Sequence, residues 1–286
     1  MERFPKALYD PGEAMSDQSE LAQHFLSAHD GPTPLLLPNP WDAGTAVILA
    51  YLGFQALATT SSGHAATLGR LDGSVTRDEA IAHAASIVAA TALPVSADLE
   101  NGFADDPDGV AETIRMALGA GLAGCSIEDH TGREADPIYP FGAARERIAA
   151  AAEVAHGGAV HLVLTARCEN HLHGRDDLAD TIARLQAYGE AGADVLYAPG
   201  LTDIADIRRV VGSVDRPVNV LARPGLPPID ELAAAGVKRV SVGGAFAFAA
   251  LGALVGAATE LLTQGTYGFL DGAAAGARAA RTAFAP

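Results

Sequence analysis

The chain has 286 residues, 49% of them apolar, and a formal net charge of -16 at pH 7. This length and apolar content suffice for one large α/β domain or two small ones. The strong negative charge argues against nucleic acids and anionic membranes as partners. The two cysteines, Cys125 and Cys168, lack metal-ligand spacing, and residues 1–20 lack the features of a signal peptide. We therefore expect a reduced, cytoplasmic protein.

In chain order, a first helix over residues 18–29 is followed by eight short apolar runs that read as strands. These strands end at Leu37, Thr60, Asp98, Glu128, Arg167, Tyr197, Leu221 and Val242. Helical segments separate them, at about residues 45–52, 77–91, 107–120, 141–155, 177–191, 203–211 and 229–235. Eight such units in about 250 residues predict a (β/α)₈ barrel over residues 31–264 rather than a doubly wound sheet. No G-x-G-x-x-G follows the first strand, which further weakens the dinucleotide-binding alternative. Residues 1–30 are expected to form a helical extension that plugs the bottom of the barrel.

The segment from residue 94 to residue 130 carries most of the functional information. One apolar run stops at Asp98 and Glu100, and the next stops at Glu128 and Asp129. The Asp106-Pro107 pair opens the helix between them. This strand-helix-strand unit makes the two strands parallel, so that their carboxyl ends meet on the face where barrels place their active sites.

A cluster of carboxylates at this face predicts a divalent cation. The acids would repel one another without it, and hard oxygen ligands suit Mg²⁺ or Mn²⁺ better than zinc. The alternative is that these acids cap helices and face water, as most Asp and Glu side chains do. Capping does not explain why Asp98, Glu100 and Glu128 all follow directly after strands.

The chain continues beyond the eighth strand with an apolar helix over residues 246–262 and a further helical tail over residues 265–286. A helix this apolar must be buried on more than one side. Packing against a second subunit would bury it, so we expect an oligomer.

At this point the sequence resembles the isocitrate lyase and phosphoenolpyruvate mutase superfamily. The resemblance covers about residues 35–262 and rests on separated motifs in order: PNPWDAGTAVILAYLGFQALATTSSGHAATLGRLDG, PVSADLENGFADDP, AGLAGCSIEDHTG, LTARCEN and RPVNVLARPGLPPIDELAAAGVKRVSVGGA. It implies a (β/α)₈ barrel whose eighth helix is swapped between subunits of a homodimer, usually within a homotetramer.

The resemblance also implies a set of metal ligands. Asp98 would bind Mg²⁺ directly, and Asp72, Glu100 and Glu128 would hold its bound waters. Glu100 stands where the family usually has the second Asp of a D-x-D motif. This longer side chain should retain the metal and shift its waters.

Several residues match the family's substrate-binding positions. Ser61, Ser62 and Gly63 align with the segment that binds the pyruvyl group, and Arg167 aligns with the arginine that contacts the substrate carboxylate. The alternative for Arg167 is a structural ion pair with Glu128 or Glu169. Asn219 is a further binding candidate, although Asn at a strand end is also a common turn residue.

The loop after the fourth strand departs from both well-known activities of the superfamily. It reads EDHTGREADPIYPF, and so lacks the K-K/R-C-G-H motif of the lyases and the E-D-K-x-F-P-K-x-N motif of the phosphonopyruvate enzymes. His130, Arg133 and Tyr139 remain as candidates for acid-base work. His130 titrates in a useful range, but a solvent-exposed loop histidine is the equal alternative.

These observations predict a Mg²⁺-dependent lyase that cleaves a carbon-carbon bond in a small 2-oxo or 2-hydroxy carboxylate through a metal-stabilised enolate. The alternative within the superfamily is carbon-phosphorus chemistry, as in phosphoenolpyruvate mutase or phosphonopyruvate hydrolase. An alternative of another class is a non-catalytic barrel that binds a keto acid. The missing loop motifs favour it, whereas the acids and Arg167 oppose it.

Overall fold

The computed structural model describes residues 17–285, which contain eight parallel strands in a nearly closed barrel. The strands are β1 (Leu35–Leu37), β2 (Leu57–Ala58), β3 (Val95–Asp98), β4 (Gly124–Glu128), β5 (Val163–Arg167), β6 (Val195–Tyr197), β7 (Val218–Leu221) and β8 (Arg239–Ser241). From β2 to β8 each strand pairs with the next, and β8 pairs with β1, which leaves β1 and β2 as the unpaired edges of the sheet. The Ala58 amide donates to the Pro38 carbonyl at 3.0 Å, which links β2 to the end of β1. The predicted (β/α)₈ barrel is confirmed.

Eleven α-helices accompany these strands within the described residues. They are α1 (Gln18–Ser27), α2 (Ala43–Tyr51), α3 (Ser61–Thr67), α4 (Arg77–Val88), α5 (Pro107–Gly119), α6 (Phe141–His156), α7 (Leu178–Glu190), α8 (Ile204–Val211), α9 (Ile229–Ala234), α10 (Ala245–Gln264) and α11 (Leu270–Ala283). The predicted segments correspond to them, except that α3 was not predicted. Thr60 accepts the Gly63 amide and so caps α3, which is why β2 stops before the predicted end at Thr60.

The predicted strand-helix-strand unit is present as β3, α5 and β4. Asp106 caps α5 by accepting the Gly109 amide at 2.8 Å, and Pro107 occupies the first turn. The helix is followed by Gly121 in the left-handed region, at φ 82°. The unit therefore delivers Asp98 at the end of β3 and Glu128 at the end of β4, on the carboxyl-end face of the barrel.

Helix α1 closes the opposite, amino-end face. The Phe25 ring lies so close to Gly124 that a Cβ on that glycine would meet a ring carbon at 2.7 Å. The Gln18 amide donates to the carbonyls of Leu118 and Leu122, at 2.9 Å each. These contacts agree with the predicted plug for residues 17–30, while residues 1–16 lie outside the described part. The division into residues 1–30, 31–264 and 265–286 stays a prediction.

The barrel interior changes character along its axis. At the amino end, Phe25 packs with an apolar set of strand residues, namely Leu35, Leu37, Ala56, Ala58, Ala123, Val163 and Val195. Further toward the carboxyl end, the buried side chains are polar, and they include Ser96, Thr165, Asn219, Arg239 and Ser241. Barrel interiors are usually filled with branched apolar residues, so this polar layer needs an explanation from function.

Helix α10 is largely exposed within the single chain, and its expected burial against a second subunit stays a prediction. Among the described residues only Ala247 of this helix is buried, and Phe248, Leu254, Val255 and Leu262 are exposed. By length and composition alone, α10 is the one described helix that qualifies as a membrane span. Helix α11 returns to the barrel, where Phe284 lies beside Gly44 of α2.

Candidate active site

The centre of the site is the guanidinium of Arg167, at the end of β5. It forms ion pairs with Asp98 through Nη1 at 3.0 Å, with Glu128 through Nη2 at 3.0 Å and with Glu169 through Nε at 2.9 Å. Strand register explains part of this arrangement, because Glu128 pairs directly with Arg167 across β4 and β5. The structural ion pair that the sequence left open for Arg167 is therefore present, with both predicted partners and with Asp98.

Backbone amides hold Asp98 in place. Its carboxylate accepts from the Ser61 amide at 3.3 Å and from the Glu100 amide at 3.4 Å. Its own amide donates to the Thr59 hydroxyl at 2.9 Å. Glu100 adopts a left-handed backbone conformation, at φ 48°, which non-glycine residues rarely take. Such strain persists where the surroundings enforce it, and it is concentrated at functional sites.

The carboxylates in this region outnumber the cations. Burial raises the pKa of Glu100 to about 8, and the charges of Asp98 and Glu128 add to the effect. For Glu128, burial favours the neutral form, but Arg167 and His130 overcome it and lower the pKa. A carboxyl group whose pKa is raised by burial and by neighbouring acids indicates an uncompensated negative charge.

The donor set fits a hard divalent cation. Asp72, in the loop between α3 and α4, lines the same cavity as Asp98, and it also lines a second cavity with Glu100 and Glu128. All four residues offer carboxylate oxygens. Mg²⁺ binds through one or two carboxylates and keeps several waters, which the surrounding acids would orient.

Two connected cavities meet at Arg167, Asp72 and Ser61. The inner cavity, of about 190 Å³, descends into the barrel toward Asn219 and Arg239. The outer cavity, of about 400 Å³, opens between Glu100, Glu128, His130, Glu169 and His173. The acidic cluster and Arg167 therefore lie between a polar interior and a mouth lined by histidines.

His130 lies at this mouth. Its Nδ1 is 3.6 Å from a Glu128 oxygen, and its ring stacks on His173 with centroids 4.0 Å apart. Burial lowers the pKa of His173, and the neighbouring His130 lowers it further. The structure places the partly buried His130 beside Glu128, and its acid-base role stays a prediction.

The predicted substrate-binding residues divide into two groups. Ser61 and Ser62 lie in the first turn of α3 and line the inner cavity. Gly63 is buried behind them, where a Cβ would meet the Thr60 side chain at 2.5 Å. Asn219 lies within β7 rather than in a turn, and its amide donates to the Ser241 hydroxyl at 3.0 Å.

Two of the loop candidates face away from the acidic cluster. Arg133 donates to Asp105 at 3.1 Å, and the Tyr139 hydroxyl donates to the same carboxylate. The Tyr139 ring is buried, with the Arg147 guanidinium 4.1 Å from its centroid. Both side chains therefore anchor the loop after β4 to the segment before α5.

Asp129 has a different role from its neighbour Glu128. Its buried carboxylate accepts from the Glu169 amide at 2.8 Å, from the Tyr188 hydroxyl at 2.6 Å and from Arg184 at 3.1 Å. All these partners are protein groups behind the site. Asp129 therefore positions the end of β5, which carries Arg167 and Glu169.

Among the cavity-lining residues that sequence reasoning missed are His173 and Arg239. His173 follows β5 in the stretch His171–His173, which carried no family motif. Arg239 could have been found, since it stands with Ser241 on alternate positions of an otherwise apolar strand. Polar residues at alternate positions of a barrel strand indicate an interior that is not simply packed.

Barrel and site together define a class of protein, the (β/α)₈ proteins with an acidic centre at the carboxyl-end face. The family model of phosphoenolpyruvate phosphomutase matches residues 25–262. The chain belongs to this family, and thereby to the phosphoenolpyruvate mutase and isocitrate lyase superfamily.

Relatives with known structures or names agree with this placement. A protein from Burkholderia cenocepacia J2315, provisionally described as a lyase/mutase, is 56% identical, with a TM-score of 0.91 over 94% of this chain and 97% of the other. The 2-methylisocitrate lyase of Escherichia coli K12 is 29% identical over 74% of this chain and 70% of its own length. The structure of a 2,3-dimethylmalate lyase is 26% identical, with a TM-score of 0.79 over 89% and 90% of the two chains.

Proposed function

We propose that this protein is a Mg²⁺-dependent lyase that cleaves a carbon-carbon bond in a small 2-oxo or 2-hydroxy dicarboxylate. The observation that carries the proposal is the excess of carboxylates around Arg167, at the junction of a polar inner cavity and an open mouth. Similarity to enzymes named 2-methylisocitrate lyase and 2,3-dimethylmalate lyase supports the type of reaction.

Asp98 is the proposed direct ligand, with Asp72, Glu100 and Glu128 around the metal's waters. Mn²⁺ would serve the same donor set. Bound there, the cation would supply positive charge to stabilise the oxyanion at C2 of the substrate, which is an enolate for a 2-oxo acid and an alkoxide for a 2-hydroxy acid. The protein's own contribution is to hold the Asp98 carboxylate in place through the amides of Ser61 and Glu100.

Arg167 is the proposed partner of the substrate carboxylate. Its Nη1 and Nη2 each use one N–H on an acid, and each carries a second N–H. Ser61 and Ser62 line the same cavity and are the proposed hydroxyl donors to the substrate, since the Ser61 amide already donates to Asp98. Gly63 allows the turn to pack closely. Asn219 lies deeper in this cavity.

His130 is the proposed acid-base group of the outer cavity. Its contact with Glu128 and its stacking on His173 hold the ring at the mouth. An imidazole held there can donate or accept a proton through its ring nitrogens. It would take the place of the cysteine that the lyases carry in this loop.

We also propose a cytoplasmic homodimer or homotetramer in which α10 is exchanged between subunits. Beside the outward-facing Leu36 of β1, an open cavity of about 650 Å³ is lined by Leu36, Leu52, Phe54 and Ile229, among others. The apolar face of α10 from a second copy would cover exposed apolar surface of this kind. Light scattering of the purified protein should give a multiple of the 29.2 kDa chain mass. A monomer would contradict the exchange, and recovery only from membranes would contradict the cytoplasmic location.

The reaction is tested with a substrate panel assayed with and without Mg²⁺. The compounds are oxaloacetate, isocitrate, methylisocitrate, 2,3-dimethylmalate and phosphonopyruvate, with release of pyruvate, glyoxylate or oxalate as the readout. Mg²⁺-dependent cleavage of a dicarboxylate supports the proposal. Turnover of phosphonopyruvate alone would favour carbon-phosphorus chemistry, which the family match makes the second candidate. Ligand binding without any turnover would favour the non-catalytic barrel.

A further inference from the structure

The inner cavity ends at a buried arginine. Arg239, at the start of β8, is 3% exposed and lines this cavity. Its Nε donates to Asn219 at 3.0 Å, and Nη2 donates to the Thr165 hydroxyl at 3.0 Å. Nη1 lies 3.4 Å from Nε2 of His29, on the amino-end side. Every one of these partners is neutral or an imidazole.

Within residues 17–285, no carboxylate lies within ion-pair distance of Arg239. Burial lowers the pKa of this guanidinium to about 10, and the charge of Arg167 acts in the same direction. Among the other buried arginines, Arg167 has three acids and Arg184 has Asp129 and Asp180. Arg147 also lacks an acid, but its guanidinium donates to three backbone carbonyls. A buried charge without a partner is costly, and an anion bound in the cavity would remove that cost.

Strand geometry places this charge below Arg167. Thr165, which contacts Arg239, precedes Arg167 by two residues on β5 and points into the barrel like it. Two residues of a strand span about 6.6 Å. The inner cavity therefore has a cationic group near its entrance and another at its floor.

We propose that Arg239 binds the second, distal carboxylate of a small dicarboxylate substrate, with Asn219 and Thr165 orienting its guanidinium. The substrate would enter with one carboxylate near Arg167 and Ser61 and the other at the floor. At least two of the five N–H groups of Arg239 remain for an anion after the three contacts described. The inference rests on the proposed function for the orientation of the substrate, but it makes a separate claim about binding.

A matched pair of ligands tests the claim without turnover. Malate and 2-hydroxybutyrate share the 2-hydroxy acid end, and a methyl group in the latter replaces the distal carboxylate. Calorimetric titration in excess Mg²⁺ should show that the wild-type protein binds malate at least about tenfold more tightly. In Arg239→Met, malate affinity should fall to that of 2-hydroxybutyrate, whose own affinity should change little. Arg239→Lys should retain part of the preference, because it keeps the charge.

Equal affinity for the two ligands in the wild-type protein would overturn the proposal, as would a failure of malate to bind. An unchanged preference in a folded Arg239→Met variant would overturn it as well. If Arg239→Met does not fold, Arg239→Lys and the wild-type ratio still decide. A preference that depends on Arg239 in a protein without any lyase turnover would leave this inference intact and refute the proposed function. If the protein cleaves a dicarboxylate but its preference for malate does not depend on Arg239, the proposed function stands and this inference is refuted.

Discussion

Buried carboxylates have different numbers of partners at the two ends of the barrel. At the amino end, Asp194 accepts from His156 at 3.0 Å, from His161 at 2.9 Å and from the Leu164 amide at 2.8 Å. These partners lower the pKa of Asp194 even though burial alone would raise it. At the carboxyl end, Asp98, Glu128 and Glu169 share the single guanidinium of Arg167.

The difference separates structural from functional charge. The Asp194 carboxylate is hydrogen-bonded by protein groups alone, so we assign Asp194 a structural role. An acid cluster with excess negative charge and a strained residue, Glu100, destabilises the free protein, and a bound ligand can offset that loss. We therefore expect substitutions at the carboxyl end to affect activity and those at the amino end to affect stability.

The largest expected effect is that of Asp98→Ala on turnover. Loss of the proposed metal ligand removes several kcal/mol of electrostatic stabilisation, so kcat/KM should fall by about 10³-fold or more. The measurement is the initial rate on the best dicarboxylate of the panel, at saturating Mg²⁺. Asp194→Asn is the matched control, which should lower thermal stability and keep the rate. Equal losses of rate in the two variants would refute the distinction between the ends.

The next largest expected effect is the loss of stability when the packing of α1 against the amino end is weakened. Phe25→Ala empties a buried site against Gly124, so the free energy of unfolding should fall by about 3–5 kcal/mol. Urea denaturation monitored by circular dichroism measures this loss. The KM of the folded variant should stay close to the wild-type value. An unchanged urea midpoint would show that α1 does not contribute to the barrel.

Acid should weaken the same end through His29. Burial lowers the pKa of His29 to about 4 from its ordinary value of 6.5, and Arg239 adds to the effect. The unfolded chain then binds a proton between these values and the folded chain does not, so stability is lost as the pH falls from 6.5 to 4. The full contribution is about 3 kcal/mol. His29→Gln should flatten this part of the stability profile, and an unchanged slope would exclude His29 as its source.

The smallest expected effect concerns Glu100, and its sign is informative. Glu100→Gly relieves the left-handed strain and removes a carboxyl group whose pKa of about 8 is raised by burial. Because the folded state holds that proton more tightly, the native Glu100 costs stability as the pH rises from 4.5 to 8. The metal-free variant should therefore be more stable than the wild type at pH 8, and its advantage should shrink as the pH falls to 4.5, where only the relieved strain of about 1 kcal/mol remains. Lower stability would show that Glu100 supports the fold.

Much of this molecule follows from local patterns in the sequence. Short apolar runs that end in acids predicted β3 and β4, and the Asp106-Pro107 pair predicted the start of α5. Helix α3 was missed because its Ser-Ser-Gly start resembles a turn, and the cap by Thr60 is visible only once β2 has ended. Local patterns thus predicted the barrel fold and the end of the barrel at which the acids lie.

Contacts between distant segments could not be predicted in the same way. The pairing of Arg167 with Asp98 joins residues 69 positions apart, and the stacking of His130 on His173 depends on two separate loops. Arg133 and Tyr139 appeared as site candidates because they share a loop with His130, yet that loop turns them toward Asp105. Side-chain direction in loops depends on tertiary contacts, which spacing alone does not encode.

The most direct test of the central claim is a titration with Mn²⁺ followed by electron paramagnetic resonance. We predict one saturable site in the wild-type protein, displaced by Mg²⁺, lost in Asp98→Ala and retained in Asp194→Asn. A wild-type protein that binds no Mn²⁺ at millimolar concentration would contradict the account, as would an Asp98→Ala variant that binds it equally well.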